Sequence, residues 1–391
     1  MINPSYRVAN ISGHFFSELN QKLARLSAAG ADVIRLDAGT PDLPPAAHIL
    51  EALRRSAGDP TAHGYQPYDG TPSLRQAWAE AYRRSFQVIL DADGEVLPLL
   101  GSKEGIFNLT LAYVQTGDVV LVPDPGYMTY TRSALMAGGE VYTMPLLPER
   151  SYLPDLSGIP QDVLRRVKIL WLNYPNNPTT ATAPLDFFDE VVEFAQSHNI
   201  LVCHDAAYAQ ITFDGYQAPS LLQVAGAVET AVEFNTLSKW YNMAGWRVGA
   251  ALGNRQALAA LYQMKVNVDN GHFRPVLDAA AAALAGEQAW LADRNRIYEQ
   301  RRDLVIRGLR QVGLEPVVPQ ASLYVWFEAP SGWSSQDFTL MLLEKAQVSL
   351  VPGTVFGKNG QGYIRLSFTE PMERLSEAMS RIVSVLGRRM G

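Results

Sequence analysis

Cysteine is nearly missing from this chain: Cys203 is the only one among 391 residues. A lone thiol has no partner, which excludes an intramolecular disulfide and suits a reducing compartment. Its place in the apolar run 200–204 marks it as a small core residue. Charge is also sparse, at 18% of residues, with a formal net charge of −6 and a pI of about 5.6. An acid excess of this kind is a poor match to nucleic acid or to an anionic membrane surface. No apolar run reaches the length of a membrane-spanning helix. The opening residues MINPSYRVANISGHFF hold no sustained apolar segment of the signal-peptide type. Repeats and low-complexity linkers are absent as well. What remains is ordinary globular composition, 47% hydrophobic, with length for one large core and a smaller second one. A cytoplasmic protein is the expectation.

Short apolar strands alternate with amphipathic helices, the pattern of an α/β sheet covered on both faces. Strands are expected at 33–37 and near 95–99, 118–122, 140–145, 168–172, 199–204, 230–235 and 247–252. Helices are expected at 47–57 and 72–86, with others beginning near 103, 127, 184 and 219. The runs 119–122 and 200–203 are continuously apolar, as buried central strands are. After 253 the character changes. A long helical stretch at 287–312 leads to a strand at 322–328, short elements around 339–367 and a closing helix at 372–388.

Several segments carry chemistry. In TLSKWYNMAGWRVG, from Thr236 to Gly249, Lys239 follows an apolar run at the mouth of a predicted strand. An amine there can condense with an aldehyde and shuttle a proton, provided that burial or nearby cations lower its pKa. Gly101-Ser-Lys-Glu-Gly105 follows a predicted strand and opens a helix, so its free amides point at an anion. Asp205 ends the strand 199–204, at the carboxyl edge where open α/β sheets bind ligands. Arg365 lies within a strand pattern, where a buried guanidinium demands a partner. Each segment also has an ordinary reading. A lone SxK is a surface lysine, GSKEG an N-cap turn, Asp205 a turn residue, and Arg365 a salt-bridged arginine.

Taken together and in order, these stations resemble the class I/II pyridoxal-phosphate-dependent aminotransferases, of the aspartate aminotransferase-like fold type I. The resemblance covers nearly the whole sequence. It implies an α/β fold: a large cofactor-binding domain (46–284) with a mainly parallel sheet between helices, and a smaller α+β domain from 1–45 and 285–391. It implies pyridoxal 5′-phosphate as cofactor, attached to Lys239, and it implies no metal. By the same resemblance the phosphate is held by the backbone of Ser102 and Lys103, the hydroxyl of Thr236 and the guanidinium of Arg247. Asp205 faces the ring nitrogen. Tyr208, in D-x-x-Y, and Asn177, in NYPNNPT, reach the 3-oxygen, and Tyr127 stacks on the ring. The substrate carboxylate is anchored by Arg365 with help from Gly39 and Asn177. Tyr65, in YQPYDG, touches the phosphate of a neighbouring subunit, which implies a homodimer with shared sites. Thr180 stands where the family usually has glycine, which puts the local turn geometry in question.

The run KVNVDNGHF, from Lys265 to Phe273, lacks an arginine at the place where aspartate-specific relatives carry one. It is similar to the K-x-N-x-D-x-G of the LL-diaminopimelate aminotransferase branch, beside the alanine aminotransferases. The expected partners are small molecules, LL-diaminopimelate or alanine as donor and a 2-oxo acid such as 2-oxoglutarate as acceptor. An acidic Asp269 near the pocket would suit a distal ammonium group; equally, it caps a turn before Gly271. A carbon–sulfur β-lyase would share these residues. A ligand-sensing aminotransferase-like domain is the rival from another class, and the short N-terminal segment and negative charge speak against it.

Overall fold

The computed structural model describes residues 15–387 together with positions 2, 3, 5 and 7. Most of the opening stretch in which no leader was expected lies outside the described residues, as does position 388 of the closing helix. In chain order the strands are β1 Ile34–Arg35, β2 Val96–Leu99, β3 Val119–Asp124, β4 Glu140–Pro145, β5 Val167–Leu172, β6 Leu201–Asp205, β7 Ala231–Thr236, β8 Gly249–Gly253, β9 Tyr324–Glu328, β10 Val348–Ser349, β11 Val351–Pro352 and β12 Tyr363–Ser367.

Strands β2 to β8 form one sheet in the order β2-β8-β7-β6-β5-β3-β4. From β4 to β7 all neighbours are parallel, and β8 runs antiparallel to both β7 and β2. Alternate side chains feed two separate cores, as the two-residue period of a strand requires. Val119 and Leu121 join one cluster with Leu170 and Val202, while Val120 and Val122 join another with Ile169, Trp171 and Cys203. Strand β4, at the sheet edge, is mostly exposed or half-buried, whereas β3 and β7 are buried along their length. Because β2 is antiparallel to β8, it ends on the same edge as β6 and β7. Leu99, Asp205 and Thr236 therefore finish side by side, and three chain segments leave from one carboxyl edge.

The remaining strands make a three-stranded antiparallel sheet, β11-β12-β9, and a parallel pair in which Ile34 and Arg35 of β1 lie beside Val348 and Ser349 of β10. Ile34 and Leu36 are buried in a cluster with Tyr298, Val305, Val325, Leu342, Leu366 and Ile382. The helices Trp290–Arg310, Ser335–Lys345 and Met372–Gly387 supply much of that cluster.

Several expectations need correction. The strand at 33–37 shrinks to the two residues that find a partner. The helix expected from 219 is only a short 3₁₀ turn, Leu221–Gln223. Ser220 and Gln223 form a full capping box, but the chain turns extended at Val224 (ψ 136°) and Gly226 adopts φ +77°, which ends the helix after one turn. The helices Phe15–Ala28, Arg255–Lys265 and Arg274–Ala285 were not anticipated. In the last, Pro275 occupies the first turn, where its missing N–H costs nothing. Strand β8 begins at Gly249 rather than 247 because Arg247 sits at φ +60°. Among the described residues no helix is long and apolar enough to cross a membrane.

Candidate active site

A cavity of about 420 Å³ opens at the carboxyl edge of the large sheet and is walled on the far side by β9, β12 and the segment 37–40. Lys239 lies at its centre, on the single helical turn Leu237–Trp240 that follows β7. Thr236 caps that turn by accepting from Ser238 N, at 3.2 Å. Its carbonyl end is held by Arg294, which donates to the carbonyl oxygens of Lys239 (3.2 Å), Trp240 and Gln210 (2.7 Å). The Lys239 Nζ donates to the Gly39 carbonyl. Burial pushes the Lys239 pKa down; Tyr324 opposes it, and Arg365 and Arg247 add smaller pushes downward, so the net shift is down. The effect is to raise the share of neutral, nucleophilic amine.

At one end of the cavity the helix Ser102–Tyr113 begins without a side-chain cap, its first amides free. Gly101 precedes it at φ +82°, and a side chain there would run into the Arg247 guanidinium. A side chain on Gly249 would meet the backbone N of Ser102. Both glycines thus keep open a cradle of amides beside a cation. Arg247 donates to Ser238 Oγ (3.2 Å) and Ala244 O (2.8 Å) and has no acidic partner among the described residues. Lys103, Thr236 and Ser238 line the same end. Burial, then Arg132 and Arg247, lower the pKa of Lys103.

Asp205 sits deeper, at the end of β6. Its Oδ2 accepts from Tyr130 Oη at 2.8 Å and its Oδ1 from Ala207 N at 3.3 Å. Burial raises its pKa, while Tyr130 and His204 oppose the rise. Asn173 donates to the Asp205 carbonyl (2.7 Å) and accepts from Asn177 N (2.9 Å), which ties this strand end to the Asn177 turn. That turn forms despite Thr180. The threonine takes φ +65°, a conformation suited to glycine, and its N–H donates to Asn176 O at 3.0 Å. Tyr127 lies in the turn before the helix Thr129–Ala137 and borders the cavity, its ring edge-on to Tyr130.

At the opposite end Arg365 projects from β12 and is 4% exposed. Its Nη1 donates to Asn177 Oδ1 and its Nη2 to Asp37 O, both at 2.8 Å, and its buried Nε has no partner. No carboxylate pairs with it among the described residues. Aromatic rings flank it instead, Tyr324 at 4.1 Å and Phe356 at 4.8 Å from the guanidinium carbon. Asp37, the nearest acid, is bonded to Arg35. Tyr208 and Tyr324 share a hydrogen bond of 2.9 Å between their hydroxyls.

Eleven of the twelve sequence-predicted residues line this one cavity; Tyr65 does not. It is 90% exposed, on a surface hollow with His63, Gln66, Asn270 and Phe273. Asp269 is also outside the cavity. Its carboxylate holds the buried Lys265 at 2.8 and 2.9 Å and accepts from Gly271 N at 2.7 Å, which gives it the turn role. Sequence reading missed Tyr130, Ser238 and Tyr324. Ser238 lies within a motif already singled out and Tyr130 three residues after Tyr127, and only their neighbours drew attention. Tyr324 carried no signal beyond its place in an apolar strand.

A pKa-lowered lysine between an uncapped helix start and a buried carboxylate defines a site for a phosphate-bearing aldehyde cofactor with a basic ring nitrogen. The family profile described as aminotransferase class I and II matches residues 31–382, and the chain belongs to that family. It is 46% identical to the LL-diaminopimelate aminotransferase of Moorella thermoacetica, over 98% of each chain. Among solved structures it is similar to apo-BacF from Bacillus subtilis (TM-score 0.95, 37% identity, 99% of each chain) and to a Thermus thermophilus aspartate aminotransferase mutant (TM-score 0.92, 30% identity, 99% of this chain and 100% of that one). The protein is a pyridoxal-phosphate-dependent aminotransferase. The residues present fit the cofactor: glycines keep the amide cradle open, Arg247 lacks an acid, and Asp205 is buried at the strand end.

Proposed function

We propose that this enzyme moves an amino group from LL-diaminopimelate to 2-oxoglutarate. The observation that carries the reading is that Lys239 and Arg365 converge on one cavity, a pKa-lowered amine facing a buried guanidinium with an unused N–H. An amine and an unmatched cation lining one cavity suit an α-amino acid held by its carboxylate. The donor is inferred from the name of the Moorella relative and from the K-x-N-x-D-x-G run.

When bound, the cofactor supplies an electron sink for the substrate's α-carbon. Lys239 carries the cofactor and moves the proton at Cα. Asp205 keeps the ring nitrogen protonated, Tyr208 and Asn177 donate to the 3-oxygen, and Tyr127 covers the ring. Ser102 and Lys103 through their amides, Thr236 through its hydroxyl and Arg247 through its guanidinium hold the phosphate. Arg365, aided by Gly39 and Asn177, orients the substrate. The division into a large domain (46–284) and a small one (1–45 with 285–391) belongs to the same reading, supported by the pairing of β1 with β10. So does a homodimer in the cytoplasm, in which the exposed Tyr65 reaches the partner's phosphate site. A monomer that is fully active at assay concentration, by sedimentation, contradicts the dimer.

The test is a half-reaction screen that follows the cofactor's absorbance over LL-diaminopimelate, alanine and aspartate. LL-diaminopimelate is expected to exceed aspartate in kcat/KM by about tenfold or more. Preference for alanine overturns the donor, preference for aspartate overturns the branch assignment, and pyruvate released from cystathionine without an acceptor acid points to a β-lyase.

A further inference from the structure

We propose that Tyr324 is a positioning residue that couples the carboxylate anchor Arg365 to Tyr208, fixing the direction in which the Tyr208 hydroxyl donates. The inference rests on the roles proposed above for Tyr208 and Arg365, and adds a residue to which those roles assign nothing.

Tyr324 opens β9, opposite Ser367 of β12, and is 3% exposed. Its ring covers the Arg365 guanidinium at 4.1 Å, and its hydroxyl lies 2.9 Å from that of Tyr208. The two phenol rings meet edge to face, with centroids 5.6 Å apart. The hydroxyl also lies so close to Gly39 that any side chain there would strike it, and the Gly39 carbonyl is the acceptor for Lys239 Nζ. One phenol thus touches the elements that hold the amine, the carboxylate anchor and the second tyrosine.

Either hydroxyl can donate in a phenol pair, and the surroundings decide which. Burial pushes the Tyr324 pKa up, but Arg365, Lys239 and the hydrogen bond with Tyr208 together outweigh it and the net shift is downward. Tyr208 is pushed well up by burial and then by Tyr324 itself. A 3-oxygen anion can only accept, so a Tyr208 whose one hydrogen serves it must accept from Tyr324 across their 2.9 Å contact. The Tyr208 hydrogen is left free for a third group. A Tyr208 lone pair is committed to the Tyr324 hydrogen, and a chain of donors polarises along its length, which strengthens the terminal donor. Ring and hydroxyl accordingly do different work: the ring shields Arg365 from water, and the hydroxyl orders Tyr208.

The experiment compares Tyr324→Phe, Tyr324→Leu and Tyr208→Phe with the wild-type holoenzyme, by pH titration of the lysine-linked cofactor's absorbance and by KM for the amino acid. Tyr324→Phe should raise the proton affinity of the linkage about threefold, a shift of about half a pH unit, because a weaker donor stabilises the 3-oxygen anion less. Its KM should move less than its kcat, since the ring stays over Arg365. Tyr324→Leu should show the same titration shift together with a severalfold higher KM. Tyr208→Phe should shift the titration further than either. A purely structural Tyr324 would lower the melting temperature and leave the titration on the wild-type curve. That outcome, with Tyr208→Phe still shifted, overturns the coupling alone. Wild-type titration in Tyr208→Phe as well overturns the proposed role of Tyr208, and the coupling with it.

Discussion

The two ends of the cavity each present a guanidinium without an acid, and they are assembled in different ways. Arg247 comes from the same short stretch as Lys239, and the amides beside it come from one strand-to-helix turn, 99–103. The far end draws on parts of the chain that are distant in sequence: Asp37 and Gly39, Asn177, Tyr324 and Arg365. Other buried arginines show what a carboxylate-paired one looks like. Arg301 is bidentate to Asp42, and Arg302 pairs with Asp214 and Asp303. Arg294 has no carboxylate among the described residues either, yet three backbone carbonyls and the Asn295 side-chain oxygen accept from it, and burial draws its pKa down to about 10. Arg365 differs from these in lining the cavity while no carboxylate pairs with it among the described residues.

The sharpest way to break this picture lies between the two ends. Lys239→Ala is expected to lower turnover by about a thousandfold or more and to abolish the absorbance of the lysine-linked cofactor. Near-normal turnover in that variant would sink the assignment. Next, Arg365→Ala should cost about 2–3 kcal/mol, roughly 30- to 150-fold in kcat/KM, with the loss in KM and the cofactor retained. Arg247→Ala should do the reverse, loosening the cofactor about tenfold with a smaller change in KM; equilibrium dialysis against free cofactor reads it. Should the two variants exchange phenotypes, the two ends have been assigned backwards.

Two smaller effects sharpen the comparison. Lys239 is the acceptor of the cofactor only as free amine, and its pKa is lowered from the usual 10.5 by burial and the two arginines. Cofactor capture by apoenzyme should therefore rise with pH and reach half its plateau below pH 10.5, in stopped-flow absorbance. A midpoint at or above that value contradicts the lowered pKa. Asp269→Asn should change kcat/KM for LL-diaminopimelate and alanine equally, by less than about twofold. It should lower stability by about 3 kcal/mol, because Lys265 is left buried without its partner. A loss confined to LL-diaminopimelate would restore Asp269 to substrate recognition.

The legible part of the site was the part carried by contiguous residues. Lys239, Arg247, Ser102 and Asp205 each sit in a motif whose spacing places them on a strand end or the turn after it, and parallel strand packing does the rest. Thr180 shows the limit of local reading. Its side chain argued against the turn, and the surrounding bonds of Asn173 and Asn176 impose φ +65° regardless. The start near 219 was legible, since Ser220 and Gln223 form a capping box, but the chain turns extended at Val224 and the helix stops after one turn.

By itself the sequence determined the alternation of strands and helices, the lysine on the turn after its strand and the glycine-led helix start, because hydrophobic period and turn chemistry act over a few residues. Only the tertiary structure decided that Arg365 has no acid to satisfy it, that Asp269 is spent on Lys265, and that Tyr324 joins Arg365 to Tyr208. Those facts depend on which distant groups share a desolvated space. There the worth of a charge or hydroxyl is set by its partners, and one-dimensional order does not specify them.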